Sequence, residues 1–115
     1  MLNNFIIDSG TTDGWYWRKY KDGTVELFAT KSFSGVNAAK NNYSGFYYSD
    51  ALTINYPFTI KTVIMGELNG GSKNQINFVK PITFSTNKFT YWVCGLSNTA
   101  TSCSGNVYIH IIGTM

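Results

Sequence analysis

The side chains able to carry out proton transfer, nucleophilic attack or metal binding are few in this chain and stand far apart. His110 is the only histidine, set in the alternating run Val107-Tyr108-Ile109-His110-Ile111-Ile112. Nucleophilic catalysis needs a nucleophile, a base in reach and a group that orients the base. The alternation partners of His110 are Tyr108 and Ile112, which reads as a histidine of the core or of an interface. Cys94 and Cys103 cannot build a zinc site with one histidine, because such sites want four ligands. Their spacing would let them face each other across a hairpin, so a disulfide is geometrically possible. Carboxylate pairs for glycoside hydrolysis could come only from Asp8, Asp13, Asp22, Glu26, Asp50 and Glu67. Most of these sit in turn contexts, where Asp is expected for backbone reasons. Glu26 falls inside a strand, across the Asp22-Gly23 turn from Arg18-Lys19, where a cross-strand ion pair accounts for it. Asn69-Gly70-Gly71-Ser72 reads as a turn rather than a phosphate loop. The chain is read as a non-enzyme with no catalytic, cofactor or metal-binding residue.

The elements that would position these groups are strands. Glu and Gln are scarce, while Thr, Asn, Gly and aromatics abound, and short apolar alternations are bounded by Gly, Asn and Asp. A first strand is expected over Asn3 to Ile7, ended by Asp8-Ser9-Gly10, and a second over Trp15 to Tyr20. Lys21-Asp22-Gly23-Thr24 is the clearest turn, since Asp-Gly tolerates positive φ; Val25 to Phe33 returns from it. Ser34 to Asn42 reads as a long loop with at most one helical turn. Phe46 to Asn55 reads as a strand broken near Ser49-Asp50. Phe58 to Leu68, Gln75 to Phe84 with an interruption at Pro81, Phe89 to Leu96, and Val107 to Ile112 complete the set. At 115 residues, with no repeat and no internal linker, this is one compact domain, a β-sandwich or small barrel.

Composition limits the partners. Charged residues make up 13% of the chain and aromatics 17%, where a globular protein carries about 25% charged residues. A surface so poor in charge suits protein partners and sugars. The net charge of +3 is scattered, without the basic patch that neutralises phosphates, so nucleic acid is not an expected partner. No run approaches the ~20 apolar residues of a membrane span, and no signal peptide is expected at the N-terminus. Asn42-Tyr43-Ser44 matches a glycosylation acceptor but is read as chance.

The most specific feature is the hairpin from Gly14 to Phe28. It carries Trp15, Tyr16, Trp17, Tyr20 and Phe28, more than one buried face needs, because alternate residues point to opposite faces. One set can fill the core; the other meets a partner chain or a ligand. This hairpin resembles the C-terminal domain of tail-fibre and tail-associated proteins of bacteriophages and prophages, chiefly those of low-GC Gram-positive hosts. Asp8-Ser9-Gly10-Thr11-Thr12-Asp13-Gly14-Trp15, Tyr56-Pro57-Phe58-Thr59-Ile60 and the closing Ser104 to Gly113 are similar to further blocks of that family. Between Gly66 and Asn87 there is little to match, and Thr114-Met115 and Phe28 depart from its pattern.

The resemblance implies an all-β, antiparallel, jelly-roll-like sandwich over residues 1–115. It would be the head of a longer fibre protein, a homotrimer on a virion appendage, attached to a bacterial cell-wall or surface saccharide. For such a sugar the candidate platforms are Trp15, Tyr16, Trp17, Tyr20, Tyr47, Tyr48 and Trp92, with Arg18, Asp50 and Asn55 as polar partners. Two rivals stay open: a structural trimerisation or decoration module without a ligand, and a carbohydrate-binding module of a bacterial enzyme.

Overall fold

The computed structural model of the chain describes residues 4–72 and 77–115, so the expected strand starts at Asn3 and Gln75 lie outside the described residues. Ten strands follow one another: β1 Ile6–Thr12, β2 Trp15–Tyr20, β3 Thr24–Val36, β4 Asn41–Tyr43, β5 Phe46–Tyr48, β6 Leu52–Asn55, β7 Thr62–Ser72, β8 Asn77–Phe84, β9 Lys88–Gly95 and β10 Cys103–Thr114. The first sheet has the order β1-β2-β3-β10-β7. In the second, β9 is central, with β8 along one edge and β5 followed by β6 along the other, while β4 pairs β5. All pairings are antiparallel. The last strand sits between β3 and β7, and the one before it between β5/β6 and β8, which is the return of a jelly-roll-like sandwich.

Period-two alternation explains the core. Trp15, Val25, Leu27, Val107, Ile109 and Ile111 come from the first sheet, and Val79, Phe89, Tyr91 and Val93 from the second; all are buried in one cluster. The final strand behaves as its sequence predicts, with Val107, Ile109 and Ile111 inward and Tyr108 left 52% exposed on the other face. The strand break expected near Ser49-Asp50 also holds. Ser49 is buried there, its Oγ accepting from Val93 N–H and donating to the Asp50 carbonyl. A side-chain hydroxyl thus completes the ladder where β5 gives way to β6.

Several expectations are corrected. The domain is elongated rather than compact, 51 × 24 × 23 Å, because β3, β7 and β10 run for 13, 11 and 12 residues, roughly 40 Å of extended chain each. Asp8-Ser9-Gly10 lies inside β1 instead of ending it. A Cβ on Gly10 would come within 2.7 Å of the Trp17 indole, so this glycine seats a ring. The turn at Lys21-Asp22-Gly23-Thr24 is found, and a further tight turn lies at Asp13-Gly14, both at positive φ (52° and 80°), as a two-residue hairpin requires. At the second hairpin only Gly23 is left-handed, with Gly23 N–H on the Tyr20 carbonyl. Asn69-Gly70-Gly71-Ser72 is strand, not turn. Ser34 to Asn42 is not one long loop: β3 runs to Val36, a turn follows at 38–39 with Ala38 N–H on the Ala100 carbonyl, and β4 starts at Asn41. Cys94 and Cys103 are thiols in different sheets, so no hairpin brings them together.

Tyr56 packs edge-on to Trp15 and against Phe89, and its hydroxyl is buried with no hydrogen-bond partner among the described residues. Burial pushes its pKa up to about 12. Removing an unsatisfied buried hydroxyl relieves a desolvation penalty. Tyr56→Phe is therefore expected to hold the unfolding free energy read from urea titration or raise it by up to about 1 kcal/mol, and a clear loss would show that the hydroxyl is bonded.

Candidate functional site

The outward face of the second sheet carries an aromatic groove of about 490 Å³, within the ~300–1,000 Å³ typical of small-ligand sites. Three segments distant in sequence build it. Ser44 and Gly45, both at positive φ, turn β4 back on β5, so that Tyr43 faces Phe46 and alternation puts Tyr48 on the same side. Register with β9 then aligns Tyr48 with Cys94, and register with β8 aligns Phe78 with Cys94 and Lys80 with Trp92. Tyr47 borders the groove as well. The Tyr48 and Trp92 rings are 5.1 Å apart, tilted by 55°, and the Lys80 ammonium sits 5.4 Å above the indole. Burial pushes the Cys94 thiol up, with Lys80 opposing it, so Cys94 is a neutral floor. The lining is carbon and sulfur almost throughout, with one cation.

The structure divides the candidate residues among several places. Trp15 is wholly buried and its indole donates to the Asn55 carbonyl at 3.0 Å, so it offers no face to a ligand. That is a correction to its reading as a platform: the residue after the Asp13-Gly14 turn points inward. Trp17 is half-buried beside Phe58, with the Lys19 ammonium over both rings. Tyr16, Arg18 and Tyr20 share the outward face of the first sheet, on the opposite side of the sandwich from the groove. Tyr47, Tyr48 and Trp92 come together in the groove. Asp50 lies at the break between β5 and β6, where Lys40 and then Asn41 hold its carboxyl below the usual range. Asn55 is exposed in β6, in register with Lys88. Sequence reasoning missed Tyr43, Phe46, Phe78 and Lys80. The alternation Phe46/Tyr48 was a usable signal; Phe78 and Lys80 are reached only through the β8–β9 register.

The outward face of the first sheet is a different kind of surface. Arg18 is in register with Glu26, yet the expected ion pair is replaced. Arg18 lies over the Phe28 and Tyr16 rings, at 5.0 and 5.7 Å. The Glu26 carboxylate accepts a short hydrogen bond from Tyr20 and one of 3.1 Å from His110, whose other nitrogen is 3.9 Å from Glu67. His110 also stacks on Phe28 at 4.5 Å. A histidine of the core or of an interface was expected; within its own chain the ionisable neighbours of His110 are the Glu26 and Glu67 carboxylates. Burial raises the Glu26 carboxyl, but the bonds from Tyr20 and His110 and the charges of Arg18 and His110 outweigh it, leaving it below 4.5. A carboxyl depressed on folding stabilises the fold above its unfolded pKa, and this is lost as pH falls through the folded value. The melting temperature is therefore expected to fall as pH drops below about 4.5, and Glu26→Gln should flatten that fall. An unchanged acid limb in the variant would remove Glu26 from the account.

No family model matches the chain, and no curated protein sequence is similar to it. Among solved structures, an N-truncated R1-type pyocin tail fibre superposes with a TM-score of 0.62, covering 96% of this chain and 84% of that one. The chain shares its fold with a tail fibre. The two are 10% identical, so the likeness is one of β-architecture.

Proposed function

We propose that the chain is the non-enzymatic head of a phage-type tail fibre, attaching a virion appendage to a saccharide of a bacterial surface. The observation that carries this reading is the aromatic groove, and the fold shared with a tail fibre supports it. Rings hold the apolar face of a sugar and leave its hydroxyls to water and to rim side chains. The head works as a homotrimer, in which weak sites act together and avidity exceeds that of one groove. Its subunits meet through the outward face of the first sheet. Tyr16 and Tyr108 are about half exposed there, while Tyr20 and His110 are each bonded to Glu26. Such a broad aromatic face suits a protein contact better than a small ligand.

The alternative, a structural module without a ligand, has one observation in its favour: the groove has almost no polar lining, as a protein-covered surface would. Light scattering together with retention on purified bacterial envelopes separates the two. Three chains per particle and retention competed by envelope oligosaccharides support attachment. Three chains with no retention above an unrelated β-domain support the structural module.

A further inference from the structure

Charge is distributed unequally over the two faces of the sandwich. Of the six acidic residues, Asp8, Asp13, Asp22, Glu26 and Glu67 belong to strands or turns of the first sheet. The remaining one, Asp50, is paired with Lys40. The outward face of the second sheet bears cations instead. Below the groove, register places Thr83 and Thr53 beside Thr90, and Asn55 beside Lys88. Lys80 and Lys88 are exposed, and neither has a carboxylate within ion-pair distance among the described residues. The groove therefore opens onto a row of hydroxyls and one amide flanked by two lysines, with no unpaired acid on that face.

We infer that the saccharide held in the groove is anionic, its negative group seated at Lys80 and the following residues of the glycan running along Thr90 towards Lys88. This rests on the attachment reading above and specifies its ligand. The Lys80 ammonium already lies over the Trp92 ring. A sugar seated against Tyr48 beside Trp92 brings a ring substituent close to that ammonium, and an acid there meets an opposite charge that no carboxylate of the chain competes for. Carboxylate and phosphate satisfy the same geometry. Because Lys80 is exposed, the attraction is that of a screened surface pair, enough for roughly tenfold discrimination and sensitive to salt.

The test is an array of neutral oligosaccharides, each printed beside its uronate and its phosphate-substituted counterpart, probed with the full chain at low and high ionic strength. The expected result is stronger binding to acidic members, by roughly tenfold at low salt and less at high salt. Lys80→Gln should remove the preference for acidic members over their neutral partners, and Lys80→Arg should restore it. The uronate and phosphate arms tell which acid is recognised. Equal binding of neutral and acidic partners would overturn the anionic ligand and leave saccharide attachment standing. An array with no signal for any member would overturn both.

Discussion

Gly70→Ala is expected to destabilise the fold by about 3 kcal/mol or more, a large part of the ~5–15 kcal/mol that holds a domain of this kind together. Gly70 lies in β7 opposite Val107 of the interior strand β10, at a φ of 145°. A Cβ there would stand 2.1 Å from the Asn106 carbonyl oxygen. That oxygen belongs to the backbone of β10, which is paired on both sides, so it cannot swing away as a side chain would. The ladder itself must open. Gly23→Ala is the informative comparison. Gly23 has a φ of 92° and nothing within 4 Å of an added Cβ, so only backbone strain of about 1–2 kcal/mol is expected. Urea midpoints followed by circular dichroism separate the two, and equal losses would contradict the close approach of β7 to β10.

The second large effect concerns binding. Trp92→Ala is expected to weaken saccharide affinity per site by about 2 kcal/mol, roughly 30-fold, since it removes both stacking area and the ring under Lys80. The fold should survive, because Trp92 projects from the outward face of β9 while Phe89, Tyr91 and Val93 carry the core. Tyr16→Ala is the control on the opposite face: it should alter the mass of the assembly and leave single-site affinity unchanged. A Trp92→Ala chain that binds as the wild type does, with an intact circular dichroism spectrum, would move the site elsewhere.

Alternation made much of the core legible. The runs Trp15 to Tyr20 and Val107 to Ile112 separate into inward and outward sets as period two requires. Glycine was the main source of error. A glycine at positive φ and a glycine pressed against a neighbour have the same letter, so Gly10 and Gly70-Gly71 read as turns when they sit inside strands for lack of room. The turn at Asp13-Gly14 carries the same Asp-Gly signature as Asp22-Gly23. The groove was half legible. Tyr47, Tyr48 and Trp92 stood out as aromatics in strands, whereas Phe78 and Lys80 join them only through a register that depends on the shift between Pro81 and Thr83. Trp15 failed as a candidate for a simple reason: nothing local tells an indole which side of its strand faces the core.

The central claim, that a sugar is held on the aromatic groove, is tested most directly by tryptophan fluorescence during titration with bacterial envelope oligosaccharides. Trp15 is wholly buried and Trp17 is packed against Phe58, so Trp92 is the indole placed to report. The account predicts a saturable change in emission that disappears in Trp92→Phe. Oligosaccharide binding shown by calorimetry, with an emission change that persists unaltered in that variant, would contradict it.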